Sequence, residues 1–309
     1  MTDNNPSVSV ILPARDAAET LTAALDSIAG QTYRRIIEVI VAAADEESQE
    51  IASAHGATVV QNPGGRTPSG LNRAISASHG EVIVRCDAHS MLPAEYVERA
   101  VRTLLETGAS NVGGMQIPTG VTFWERAIAA AMKSPIGAGD ARYRIGGVEG
   151  PVETVYLGVF RREALDRVGG FDEQFTRTQD YELNHRIIES GGTVWFDPNL
   201  KVTYRPRGSL SSLAQQYFEY GKAKRLFRRR HPGALKWRQL AAPALVVGLG
   251  TAVVISIVWP LALWVPAGYS VVLAGTGLIK VPSEGTAAFG IPPALATMHL
   301  AWGTGFLIG

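Results

Sequence analysis

Two kinds of hydrophobic pattern share this chain. From residue 8 to about residue 90, short β-rich runs alternate with stretches whose apolar residues recur at helical spacing. "VSVILP" (8–13) reads as a strand, and "AAETLTAALDSIAG" (17–30) places Leu21, Leu25 and Ile28 on one helical face, with Gly30 as its stop. "IIEVIVA" (36–42), "ATVVQN" (57–62) and "EVIVRC" (81–86) repeat the strand pattern, and "EESQEIASAHG" (46–56) and "TPSGLNRAISASHG" (67–80) the helical one. Strands interleaved with helices predict an α/β fold: a mixed, mostly parallel sheet flanked by helices on both faces, with ligands bound beyond the carboxyl ends of the strands. Farther on, "REALDRVGGFDE" predicts a helix ending at Gly169-Gly170, and "DYELNHRIIESGG" predicts another.

In the last third of the chain the alternation disappears. Residues 240–279 contain no Asp, Glu, Lys or Arg. As helix this stretch would measure about 60 Å, roughly twice the hydrocarbon thickness of a bilayer. Pro260 and Pro266 are natural places for a turn, which predicts transmembrane helices over about 240–259 and 262–279. A third apolar segment, 286–309, is interrupted by Gly290, Pro292 and Pro293, so two or three helices are expected to span. Just before this region, residues 222–238 carry eight Lys or Arg and no acid. Aromatic residues interleave with the first of these cations, which predicts an amphipathic helix at the membrane surface. Basic residues flanking a span favour the cytoplasmic side. Three regions are therefore expected: a cytoplasmic domain over 1–207, a basic interface region over 208–238 and a multi-pass cell-membrane region over 239–309.

Composition adds exclusions. The net charge of +1 gives no global attraction for nucleic acid. One cysteine excludes an intramolecular disulfide framework and fits a reducing compartment. The opening "MTDNNPSVSV" lacks the charged and apolar regions of a secretory leader. No GxGxxG follows the first strand and no GxxxxGK[ST] occurs anywhere, which argues against a classical dinucleotide cofactor and a P-loop hydrolase.

Two polar features carry candidate chemistry. Asp87 and His89 follow the fourth predicted strand, where a carboxylate and an imidazole can share one divalent cation; on spacing alone Asp-x-His is weak evidence, and the plainer reading is a pair that punctuates a loop. Asp180 lies at the start of a predicted helix, whose dipole favours the ionised carboxylate that a general base requires, although capping alone is a common fate for Asp there.

Taken together, "VSVILPARD", "TPSGLNRAISASHGEVIVRCDAH", "ETVYLGVFRREALDRVGGFDE", "TQDYELNHRI" and "YRPRGSLSSLAQQYFEYGKAK" resemble a family 2 glycosyltransferase of GT-A fold, in particular the membrane-anchored bacterial type that makes exopolysaccharides such as succinoglycan. The resemblance implies that Asp87 and His89 hold Mn²⁺ or Mg²⁺ on the diphosphate of a nucleotide sugar, and that Gln179-Asp180 supplies the catalytic base, Asp180. It implies that Pro13, Ala14, Arg15 and Asp16 border the nucleoside and that Arg66 and Asn72 lie near the donor. Where the family usually has an aspartate for the base, this chain has Ala43, with Asp45 two residues later. The expected donor is a UDP-sugar, ahead of a GDP- or dTDP-sugar. Gln179, Glu182, Arg205 and Arg207 are expected on the acceptor or phosphate side. No Gln-x-x-Arg-Trp follows "QQYFEYGKAK", which implies transfer of a single sugar rather than processive synthesis. The expected reaction is an inverting, metal-dependent transfer to a membrane-associated, polyprenyl-diphosphate-linked acceptor. The alternatives are transfer to polyprenyl phosphate itself and a non-catalytic membrane scaffold.

Overall fold

The computed structural model describes residues 5–309; residues 1–4, part of the stretch read above as lacking a secretory leader, lie outside it. Two compact units emerge: one takes the chain up to Ile117 and again Arg142–Thr203, the other Pro118–Ala141 and Tyr204–Gly309. In chain order the elements are β1 (Val8–Ala14), α1 (Ala18–Ala29), β2 (Ile36–Ala43), α2 (Glu46–Ala54), β3 (Thr58–Gln61), α3 (Thr67–Ser76), β4 (Val82–Arg85), α4 (Tyr96–Thr107) and β5 (Asn111–Pro118). They continue with α5 (Phe123–Lys133), α6 (Pro135–Ala138), α7 (Arg142–Ile145), β6 (Gly150–Pro151), β7 (Tyr156–Arg161), α8 (Arg162–Val168), α9 (Gln179–Glu189) and β8 (Val194–Tyr204). Among the described residues four further helices close the chain, with short 3₁₀ turns between them: α10 (Leu210–Arg230), α11 (Ala241–Ile255), α12 (Trp264–Glu284) and α13 (Ile291–Ile308).

The strands of the first unit form one mixed sheet in the order β3-β2-β1-β4-β7-β5-β8-β6 among the described residues. β1 pairs in parallel with β2 and β4, and β2 with β3, as the alternation of strand and helix predicts. β7 then runs antiparallel to both β4 and β5. Because side chains alternate across a strand, each strand feeds two cores. Val82, Val84 and Cys86 join Val10, Leu12 and Leu104 in one layer. Ile83 joins Ile11, Leu71, Phe160 and Phe196 in the layer on the opposite face. Full burial of each such aliphatic or aromatic side chain contributes roughly 1.5–3 kcal/mol, and this anchors the strand ends that carry the site.

In the second unit α5 begins with a capping box: Thr122 Oγ1 accepts from Glu125 N (3.3 Å) and Glu125 Oε2 accepts from Thr122 N (3.0 Å). The amides of Thr122 and Val121, which donate to Glu125 Oε2 at 3.0 and 2.9 Å, with help from Arg205, hold the Glu125 carboxyl down to about 2. Ile128 and Ala131 of α5 pack with Leu213 and Tyr217 of α10 and with Leu295 and Met298 of α13. Two stretches, Trp237–Ile255 and Pro260–Ile308, are long and apolar enough to cross a membrane, by length and composition. The turn between them falls over residues 256–259, before Pro260. Pro266, expected as a second place to turn, instead sits in the first turn of α12, where helical N–H groups lack intrahelical partners and a missing one is tolerated. α12 also runs on through the polar residues after 279 and contains Pro282.

Candidate active site

Beyond the end of β4 the chain makes a tight turn in which Ser90 N donates to Asp87 O at 2.9 Å. The turn leaves the Asp87 side chain 15% exposed and His89 at the surface. Behind it lies Arg85, the last residue of β4 and only 5% exposed along its side chain. Alternation puts Arg85 on the same face as Ile83, where the apolar layer ends and α9 begins. Its Nε and Nη2 both donate to Asp87 Oδ1, at 3.0 and 2.8 Å, and its Nη1 donates to Asp180 Oδ1. Two carboxylates 93 positions apart in the chain are thus joined through one buried guanidinium, whose planar fork can serve two acceptors at once.

The two carboxyls titrate in opposite directions. Burial pushes Asp87 up, but Arg85, and with it His89, outweighs burial and holds the group below its ordinary value. Burial also pushes Asp180 up; Arg85 pulls it back, the neighbouring Asp87 charge adds to the rise, and the net shift is upward. Carboxyls driven apart in this way have the electrostatics for two different roles, one as a fixed anion and the other as a proton acceptor.

Backbone strain concentrates around the same residues. Among the described residues Asp16, Leu157 and Thr178 are the non-glycine positions with positive φ, at 49°, 46° and 57°. Thr178 is the N-cap of α9, two residues before Asp180. Leu157 follows Tyr156, whose hydroxyl lies 3.4 Å from Ser90 Oγ in the Asp87 turn. Such conformations cost about 1–3 kcal/mol each and persist where the surroundings impose them, often at functional sites.

The remaining predicted residues fall into groups. Pro13 and Ala14 end β1, and Arg15 and Asp16 follow it, 65% and 79% exposed. Arg15 lies across Gly65, where a Cβ would come within 2.8 Å of Arg15 Cδ, so the loops after β1 and β3 meet there. Asp45 caps α2, with Oδ1 accepting from Ser48 N at 2.9 Å, while Oδ2 accepts from Asp16 N at 2.9 Å and from Ser48 Oγ at 3.0 Å. The carboxylate therefore clamps the β1 loop. Ala43 is buried at the end of β2, and no carboxylate stands in its place. Arg66 is exposed at the N-cap of α3. Asn72 is committed to structure: its amide donates to Phe171 O and accepts from Phe171 N, both at 2.8 Å, stapling α3 to the loop after α8. Glu182 is buried and pairs with Arg186 through two 2.7 Å bonds, while Gln179 opens α9 beside Asp180. Arg205 pairs with Glu125 at 2.8 Å, and both Arg205 and Arg207 belong to the second unit.

Arg85 is the residue that motif reading missed. The available signal was a cation inside an otherwise apolar strand, since a buried arginine requires anionic partners. Cys86 packs beneath the turn, fully buried, with Sγ 3.5 Å from Asp87 O and 3.6 Å from Ser90 O.

The donor set fits a hard divalent cation. Both arginine contacts fall on Asp87 Oδ1, and among the described residues Oδ2 accepts no hydrogen bond. His89 offers an exposed ring in the same turn. One carboxylate oxygen and one imidazole nitrogen suit Mn²⁺ or Mg²⁺ whose other positions go to phosphate oxygens and water.

Comparison with known proteins places this architecture. The model of the family described as "Glycosyl transferase family 2" matches residues 9–169. The succinoglycan biosynthesis protein ExoA of Rhizobium meliloti is 32% identical over 257 residues, covering 80% of this chain and 76% of that protein. A Methanococcus voltae enzyme, dolichyl N-acetyl-alpha-D-glucosaminyl phosphate 3-beta-D-2,3-diacetamido-2,3-dideoxy-beta-D-glucuronosyltransferase, is 21% identical over 247 residues, covering 74% and 76%. Among solved structures, the mannosyltransferase PcManGT from Pyrobaculum calidifontis, in complex with GDP-Man and Mn²⁺, superposes with a TM-score of 0.63 at 19% identity, covering 97% of this chain and 88% of that one. The two share the fold, of the GT-A type that the family resemblance implied, and this chain closes with apolar helices at its C-terminal end. By the span of the family match and the identity to ExoA, this chain is a glycosyltransferase belonging to glycosyl transferase family 2.

Proposed function

We propose that the chain transfers one sugar, with inversion, from a nucleotide-sugar donor to a hydroxyl of a membrane-associated acceptor, a polyprenyl-diphosphate-linked sugar, in the synthesis of a cell-surface polysaccharide or glycolipid. The observation that carries this reading is the Asp87–Arg85–Asp180 arrangement, in which one carboxyl is held as an anion and the other is raised towards basicity. Asp180 takes the proton of the acceptor hydroxyl as its oxygen attacks the anomeric carbon, and the bond from that carbon to the diphosphate breaks on the opposite side. Arg85 holds Asp180 in place and keeps a cation beside both carboxylates. Asp87 and His89 would hold Mn²⁺ or Mg²⁺, which when bound would supply Lewis-acid neutralisation of the departing diphosphate. Asp45 keeps Asp16 and the β1 loop in position at the nucleoside end.

Support for the donor class comes from PcManGT, solved in complex with GDP-Man and Mn²⁺. Support for the pathway comes from ExoA, named for succinoglycan biosynthesis, and for the acceptor class from the M. voltae enzyme, whose name contains a dolichyl-linked sugar phosphate. The chain's own bilayer-length apolar stretches favour acceptors that are themselves held in membranes. Eight Lys or Arg over residues 222–238 favour a multi-pass protein of the cell membrane with the catalytic region on the cytoplasmic side.

Calorimetry with UDP-, GDP- and dTDP-sugars in the presence of Mn²⁺ tests the donor site. At least one donor is expected to bind in a metal-dependent manner, and Asp87→Ala is expected to weaken it tenfold or more, about 1.4 kcal/mol. Unchanged binding in Asp87→Ala would remove Asp87 from the site.

A further inference from the structure

The apolar C-terminal helices differ in what covers them. α11, α12 and the turn between them direct much of their apolar surface outward: Ile257, Val258, Trp264 and Ile279 are 82%, 85%, 74% and 77% exposed. α13 instead buries one face, with Ile291, Ala294, Leu295, Met298 and Phe306 each at most 5% exposed, while Leu300, Leu307 and Ile308 stay exposed. Its cover is protein: Ile128 and Met132 of α5, Leu213 and Tyr217 of α10 and Leu273 of α12 pack on it, and charged residues of α10 meet its C-terminal end. α10 runs beside it so closely that a Cβ on Gly221 would lie 2.1 Å from Trp302 O, and one on Gly305 2.1 Å from Phe218 O. Arg225 donates to Leu307 O, and Gly309 lies against the Lys222 stem. At the other end of α13, Gly290 abuts Ala127 and Phe123 of α5.

The position of α13 along the hairpin supplies an independent observation. Gly303 meets Ala242 and Val246, in the first half of α11, and Pro292 meets Gly277, in the second half of α12. Both contacts lie on the part of the hairpin away from the 256–263 turn, and the contact nearest to that turn, Tyr269 Oη with His299 Nδ1 at 3.0 Å, still leaves five residues of α12 beyond it. A third span would instead carry one end of α13 to the depth of that turn. It would also draw Lys222 and Arg225 towards hydrocarbon, where a charge near the centre costs about 2.5–3.5 kcal/mol on insertion scales.

Resting on the membrane reading proposed above, we infer that only α11 and α12 cross the bilayer, as a two-span hairpin, and that α13 stays on the side from which α11 enters, held between α10 and the base of the hairpin. Residue 309 then lies on the same side as α10. The nineteen residues of Trp237–Ile255 would span about 28 Å as helix, close to the hydrocarbon thickness. Trp259, within the turn, and Trp264, just after it, are of the residue type that settles at membrane interfaces and suit the far surface. The turn suits such a position too: the N–H groups of Ser256, Ile257, Val258 and Trp259 are all bonded to carbonyls of α11.

The test places a protease-sensitive epitope after Gly233, after Val258 or after Gly309 of the full chain, each expressed in bacterial membranes and retained there through a carbonate wash. Protease is added to intact and to permeabilised spheroplasts. The 233 and 309 epitopes are expected to be cut under the same condition, and the 258 epitope under the opposite one. A 309 epitope that behaves like 258 would establish a third span and overturn the inference. A 258 epitope resistant to protease on either side would overturn the crossing hairpin. Loss of the unaltered protein from carbonate-washed membranes would instead defeat the membrane reading on which the inference rests.

Discussion

Asp180→Asn is expected to lower kcat by about 10³-fold while changing the donor KM by less than about threefold. Asparagine keeps the shape and still offers an oxygen to Arg85, but it has no lone pair basic enough to accept the acceptor's proton. A deficit confined to kcat separates a base from a donor ligand, whose loss would raise KM as well. Activity within tenfold of the parent, measured with purified components, would sink the base assignment and favour an acceptor that is already an anion, such as a polyprenyl phosphate. The pH profile carries a second signature. Asp180 sits above the ordinary carboxyl range, so the parent rate is expected to fall, as pH drops, sooner than an unperturbed aspartate would allow. The linked stability has the opposite sign. A carboxyl whose folded pKa exceeds its unfolded value stabilises the fold below the unfolded pKa, and that contribution is lost as pH rises through the folded one. The ionised base is therefore carried at some cost to the fold in the range where it works.

Arg85→Met is the second large effect. Removing the central cation leaves Asp87 and Asp180 facing one another without compensation, and breaking a buried pair in this way costs about 3–5 kcal/mol. A clear fall in Tm is expected. In the molecules that remain folded, the acid limb of the rate profile moves to higher pH, because Arg85 is the group that pulls Asp180 down. Arg85→Lys is expected to recover part of the stability but little of the rate, since a single ammonium cannot reproduce the fork that bonds both carboxylates. A rate profile for Arg85→Met that superposes on the parent would show Arg85 to be packing alone.

The alternation of strand and helix through β4 was legible because each strand and helix declares its period within a few residues. The antiparallel insertion of β7 beside β4 was not, since pairing between strands some 75 residues apart leaves no local mark. The same limit applies at the site. Asp87 announces itself by interrupting an apolar run, whereas Arg85 reads as the polar end of a strand until α9 is packed against it. Asn72 has the chemistry of a ligand contact, yet its partner Phe171 lies 99 positions away, and only folding shows that its amide is already committed. α13 exposes a different ambiguity: apolar composition reports that a helix leaves water, without distinguishing lipid from protein as the new surroundings.

The burial of Cys86 has a practical consequence in thiol chemistry. It is the sole cysteine of the chain, it has no surface exposure, and burial together with the Asp87 charge pushes its thiol further from the reactive thiolate. The native protein is therefore expected to be silent towards maleimides and disulfide reagents while it remains folded. A single cysteine introduced at any exposed position would then report alone, without the removal of a residue from beneath the Asp87 turn.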